Sequence, residues 1–158
     1  MNIVPVDPPR LVADLMSAGP VVVRADAPLA EAARLMDAHG FSGLPVTDDL
    51  GALVGVISET DLLRARATDY LWANWAGLKV RHLMTSPALT IHRDQPVAVA
   101  ARKMERHHVD RLVVVGDSDD TRPIGILATS DLVRAMSFYL DPAVSGEAPE
   151  ASEGPGED

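Results

Sequence analysis

The chain contains no cysteine, and that absence removes disulfides, zinc–thiolate centres and thiol nucleophiles together. No apolar run approaches the ~18 to 20 residues that a membrane-crossing helix needs. The opening MNIVPVDPPR lacks a basic stretch followed by an apolar core, so no secretory leader is expected and a cytoplasmic location is the default. Basic charge is also short: 14 Lys and Arg stand against 23 Asp and Glu, for a formal charge of −9. Six of the acidic residues lie at 141–158, where there is no Lys or Arg, and the remainder carries −3. A nucleic-acid binder needs a basic face to displace phosphate counterions, and none exists at whole-chain level. No GxGxxG or GxxxxGK loop is present, which argues against nucleotide hydrolysis.

What remains is a chain of 158 residues, 47% hydrophobic and 23% charged, the balance of a globular protein. Its dominant feature is internal repetition. The segment starting at Val12 realigns on the segment starting at Val80 with an offset of 68, which pairs Met16 with Met84, Asp26 with Asp94, Pro28 with Pro96 and Met36 with Met104. After the next turn the offset becomes 70, and GVISETDLLRA (55–65) falls on GILATSDLVRA (125–135). A unit of about 60 residues is marginal alone, so the two copies are expected to share their burial.

Each copy reads as strand, helix, strand, strand, helix. Val21 to Val23 form a short β-branched run closed by Asp26-Ala27-Pro28, a helix-start signal. Leu29, Ala32, Ala33 and Met36 then fall on one helical face, and Val97, Ala100, Ala101 and Met104 repeat it. Gly40 is placed to end the first helix in a left-handed cap. Leu44 to Val46 and Leu53 to Ile57 are strands joined by a turn-rich segment, and another amphipathic helix starts near Ser58. The expected fold is therefore α+β, two βαββα units packed sheet to sheet. The expected division is an arm at 1–10, repeats at 11–66 and 80–140, a linker helix at 67–79 and a disordered acidic tail at 141–158. The linker holds both tryptophans. Leu71, Trp75 and Leu78 share a face that either caps the core or meets a second subunit.

The strongest local signal is Gly55-Val-Ile-Ser58-Glu-Thr60-Asp61, matched by Gly125-Ile-Leu-Ala128-Thr129-Ser130-Asp131. One reading is purely structural: Ser58 caps the helix and Asp61 answers its positive end. The other is functional: an acceptor-only carboxylate at a helix start grips two neighbouring sugar hydroxyls through charge-assisted hydrogen bonds. The adjacent pair His107-His108 has no i, i+4 partner to complete a metal site, and Asp117, Asp119 and Asp120 lack the twelve-residue calcium loop. Ser58 has no histidine base at any motif distance, so nucleophilic catalysis is unsupported.

From about Leu11 to Ala135 the chain resembles a tandem pair of CBS domains, the Bateman module. The βαββα repeat, the Leu-Pro-Val and Leu-Val-Val segments and the two Gly-to-Asp helix starts carry the resemblance. It implies two repeats paired with pseudo-twofold symmetry, in a non-catalytic regulatory module that requires no cofactor and binds an adenosine-containing ligand (AMP, ADP, ATP or S-adenosylmethionine) between the repeats. By resemblance, Asp61 and Asp131 hold ribose hydroxyls, aided by Ser58, Thr60, Thr129 and Ser130. Thr129 would take the capping role that Ala128 cannot. The base would lie against Val21, Phe41, Ser42, Gly43 and Ile126 in the cleft of Asp131, and against Val56, Leu89, Val109 and Asp110 in the cleft of Asp61. Phosphates would meet Arg111 and His108, although Arg111 is equally placed to pair with Asp110 or an acidic hairpin. The resemblance further implies a homodimer, with output through a separate effector protein because 1–10 and 141–158 leave no room for an effector domain. A ligand-free dimeric interaction scaffold is the alternative.

Overall fold

The structure, a computed structural model, describes residues 11–138 except Pro20 and Asp117; the arm at 1–10 and the tail at 141–158 lie outside the described residues. In chain order the elements are α1 (Val12–Leu15), β1 (Ser17–Ala18), β2 (Val23–Arg24), α2 (Leu29–His39), β3 (Gly43–Thr47), β4 (Leu53–Ser58), α3 (Glu59–Ala67) and α4 (Asp69–Ala73). A 3-10 turn at Trp75–Gly77 leads to α5 (Val80–Leu83), β5 (Thr90–His92), α6 (Val97–His107), β6 (Arg111–Val115), β7 (Pro123–Ala128) and α7 (Thr129–Phe138). The linker is thus a short helix followed by a 3-10 turn, where sequence suggested one helix. Asn74 breaks it, since its side chain donates to the Tyr70 carbonyl and its backbone leaves the helical region. No helix among the described residues is long and apolar enough to cross a membrane.

The apolar periodicity decides what each helix buries. Leu29, Ala32 and Met36 of α2 pack with Leu44, Val46 and Ile57 in a first core, while Ala100 and Met104 of α6 pack with Leu112, Val114 and Leu127 in a second. Burying a side chain such as Leu29 completely is worth about 1.5–3 kcal/mol. Strands β3 and β6 are buried on both faces. In β6, Leu112 and Val114 serve the second core, whereas Val113 and Val115 alternate to the opposite face and are still 0% and 1% exposed. That second face is sheet against sheet, as the repeat pattern predicts.

The order of strands holds a feature that the repeat does not announce. One sheet runs β2-β3-β4, but the other runs β1-β7-β6-β5. Ser17 and Ala18, from the first repeat, pair antiparallel with Ile126 and Gly125 of the second. In return Thr85, which opens the second repeat, bridges Val56 of the first. The helices preceding these segments are exchanged too. Val12 is buried in the second core, where its N–H donates to the Gln95 carbonyl at 2.9 Å; Val80 and Leu83 are buried in the first, and Val80 N–H donates to Ala27 at 2.9 Å. Close backbone approach explains the motif glycines. A Cβ on Gly55 would lie 2.6 Å from the Thr85 carbonyl, and one on Gly125 would lie 2.7 Å from the Ser17 carbonyl.

Candidate functional site

Two clefts lie between the repeats, one on each side of the pseudo-twofold axis. The first, of about 260 Å³, is lined by Val21, Phe41, Ser42, Gly43 and Ile126 together with Ser130 and Asp131. The second, of about 520 Å³, is lined by Val56, Leu89, Val109, Asp110, Ser58, Thr60 and Asp61, with His108 and Arg111 at its edge. The fold therefore gathers the sequence-selected residues into the two groups expected of them, with one exception. Thr129 does not line either cleft: its hydroxyl donates to the Asp110 carbonyl at 3.1 Å and its N–H to the same oxygen at 2.9 Å. It therefore cannot replace the missing Ser at position 128 as a cap. Its register places it where Glu59 stands in the first repeat, which donates its N–H to Ser42 in the same way.

Each carboxylate sits at the start of a helix because a strand ends three residues before it. Asp61 is 7% exposed and Asp131 6%, so both charges are largely out of water and need partners. Asp61 Oδ2 accepts from Ser58 N–H at 2.9 Å and from Ser58 Oγ at 3.0 Å, and Ser58 Oγ accepts from Asp61 N–H at 3.3 Å. This is a reciprocal capping box, so the structural role of the pair is real. It does not exhaust the carboxylate, which has about four acceptor sites. Oδ1 has Arg64 at 3.6 Å. In the second repeat Ala128 supplies only its N–H, at 2.8 Å from Asp131 Oδ2, and Arg134 pairs with Oδ1. Arg134 also lines the first cleft. It was legible as the repeat partner of Arg64, three positions after the motif aspartate, but it carried no motif of its own.

The cationic residues divide unevenly. Gly40 ends α2 in the left-handed region at φ 66°, as expected, but the matching residue of α6 is His108, at φ 53°. A non-glycine residue there costs about 1–2 kcal/mol, the kind of local strain that collects at functional sites. Arg111 opens β6 where Gly43 opens β3. Its guanidinium donates to the Ser42 carbonyl at 2.8 Å and to Ser42 Oγ at 3.2 Å, with the Asp110 carboxylate 3.3 Å away. Of the alternatives read from sequence, Asp110 is its ionic partner. Ser42 was not foreseen. The N-terminal segments add further lining that sequence reasoning missed, Ser17, Ala18 and Gly19 in one cleft and Thr85, Pro87 and Ala88 in the other. Those segments arrive by the exchange described above.

The arrangement offers a half-apolar wall and one buried carboxylate at a helix start per cleft. That is suited to an uncharged planar group attached to a polyol. Comparisons with known proteins bear on this directly. The CBS domain profile matches residues 12–68 and 80–138. L-aspartate semialdehyde sulfurtransferase of Methanocaldococcus jannaschii is 31% identical over 127 residues, which is 80% of this chain and 23% of that protein. The chain spans about a quarter of the length of the curated relatives it first matches. Among solved structures, a CBS domain pair in complex with 5′-methylthioadenosine and S-adenosyl-L-methionine superimposes with a TM-score of 0.71 at 30% identity, covering 80% of this chain and 95% of that one. CBSX2 in complex with AMP gives 0.68 at 33% identity, covering 83% and 98%.

Proposed function

The chain belongs to the CBS domain family, and from that premise we propose that it is a non-catalytic sensor that binds an adenosine-containing ligand in the clefts between its repeats. The observation that carries the reading is the pairing, in each cleft, of a buried carboxylate from one repeat with half-apolar walls contributed by both. Asp61 and Asp131 hold the ribose hydroxyls, with Ser58, Thr60 and Ser130 beside them. The base lies on Val21, Phe41 and Ile126 in one cleft and on Val56, Leu89 and Val109 in the other. Phosphates of a nucleotide in the Asp61 cleft meet Arg111 and His108. A ligand touching both repeats favours the relative position it binds better, by no more than its difference in affinity for the two. Complexes of similar CBS pairs with AMP and with S-adenosyl-L-methionine support this class of ligand.

The signal passes to a separate effector protein through a homodimer. Leu63 and Val133, which occupy equivalent positions on α3 and α7, are 68% and 58% exposed, and Met136 is 64% exposed. Burying these side chains against a second copy would remove the largest exposed aliphatic groups of the two helices from water. Sedimentation of the full chain tests the dimer, and Leu63→Glu should shift it to monomer. The central test is thermal unfolding with AMP, ADP, ATP, S-adenosylmethionine and NAD. A ligand at a hundred times its dissociation constant should add about 2.7 kcal/mol, or roughly 5–10 °C. No shift with any of them would favour the ligand-free scaffold.

A further inference from the structure

Pseudo-twofold symmetry fails where the two sheets meet. The first residue of β3 is Gly43 and the first residue of β6 is Arg111, so one long cation serves both halves. Arg111 lines the Asp61 cleft, yet its guanidinium is bound to Ser42, which lines the Asp131 cleft. A Cβ on Gly43 would fall 2.3 Å from Arg111 Nη1, so the glycine makes room for the guanidinium across the axis. The side chain is 9% exposed, and its buried Nε has no hydrogen-bond partner among the described residues.

We propose that Arg111 couples the two clefts: a phosphate bound beside Asp61 draws the guanidinium off Ser42, and the released Ser42 carbonyl and hydroxyl tighten ligand binding beside Asp131. The proposal rests on the nucleotide-binding reading above. Its physical basis is competition for one fork of donors. In the resting arrangement two N–H groups are spent on neutral acceptors of Ser42, the Asp110 carboxylate stands 3.3 Å from Nη2, and the buried Nε–H is unmet among the described residues. A phosphate offers charged oxygens that match the planar guanidinium and bind it more strongly than a neutral carbonyl does. The Ser42 carbonyl, which keeps its hydrogen bond from Glu59 N–H, regains one acceptor position at the wall of the other cleft, suited to an exocyclic amino group. Coupling of this kind is reciprocal: filling either cleft favours filling of the other by the same factor.

The test uses the full chain and methyl NMR, with Ile126 reporting the Asp131 cleft and Val109 the Asp61 cleft. AMP is titrated into the wild type and into Asp61→Asn, which disables one cleft. The Ile126 midpoint should be about fivefold tighter in the wild type. That ratio should fall to one when Arg111→Gln is added to both chains, and likewise with Gly43→Ala, which displaces the guanidinium without removing it. Adenosine, which lacks phosphate, should give a ratio of one throughout, and it should bind beside Ile126 more tightly in Arg111→Gln than in the wild type. Methyls that do not move in either cleft would defeat the ligand reading and the coupling with it. Binding in both clefts with a wild-type ratio of one would defeat the coupling alone. A ratio retained in both Arg111→Gln and Gly43→Ala would show that the clefts communicate by another route.

Discussion

Asp61→Asn separates the two duties of the carboxylate at the start of α3. In the folded chain Asp61 Oδ2 accepts two hydrogen bonds from Ser58, at 2.9 and 3.0 Å, and its charge faces the positive end of the helix. An asparagine can keep its oxygen toward Ser58, so both bonds survive as neutral ones. Each charge-assisted bond is worth about 1.5–3 kcal/mol and a neutral one about 0.5–1.5 kcal/mol. The Arg64 pair adds little because Arg64 is half exposed. The net loss of stability should be about 2–3 kcal/mol, or roughly 4–12 °C in melting temperature for a chain of this size. Binding responds differently. The amide nitrogen now occupies the place of Oδ1 and presents donors to ribose hydroxyls that need an acceptor, which should weaken AMP in that cleft roughly ten- to a hundredfold. Calorimetric melting and isothermal titration of the same sample read the two effects. A melting loss of the stated size with unchanged affinity and two intact sites would refute the ribose role and leave Asp61 a helix cap.

Three further outcomes follow from the geometry. Val12→Ala should cost about 2 kcal/mol through the cavity it leaves, and hydrogen exchange should rise in β5, β6 and β7 rather than in β2 to β4, because Val12 is buried in the second core. His108→Gly should relieve the left-handed strain and raise stability by up to about 1 kcal/mol, while titration calorimetry finds weaker AMP but unchanged adenosine. Thr121 donates both its hydroxyl and its N–H to Asp119, holding that carboxyl below the ordinary aspartate range. The contact's contribution is therefore present above the ordinary aspartate pKa and lost only as pH falls through the lowered one, and carboxyl NMR should place the Asp119 midpoint below that of a reference aspartate.

Most of this architecture is legible in the sequence. The Leu29-Ala32-Met36 face and the Gly40 cap follow from local chemistry repeated at a fixed offset, and the residues grouped around Asp61 and Asp131 follow from the resemblance to CBS domain pairs. Three things did not follow, for a common reason. The exchange of Val12–Leu15 and Val80–Leu83 is invisible to periodicity, since either copy of the segment has the same apolar spacing and fits either core equally well. Gly55 and Gly125 were recognisable as a motif, but the carbonyls that demand them belong to residues 85 and 17. Thr129 was assigned by analogy to a cap, and the Asp110 carbonyl that claims its hydroxyl lies 19 positions away. Long-range partners choose among options that local chemistry leaves equal. Arg111 is the sharpest instance: sequence offered Asp110, a hairpin or phosphate, whereas packing adds Ser42, 69 positions earlier.

The reciprocal exchange has a consequence for how the chain comes into being. As synthesis proceeds from the N-terminus, the first repeat emerges with strands and helices in place but without the lid that residues 78–84 will supply. Its own opening segment, meanwhile, has nowhere to dock until β7 has been made. The first core, which runs from Val23 to Met84, can therefore close before the second is made, while the opening segment should stay undocked until residue 128 has left the ribosome.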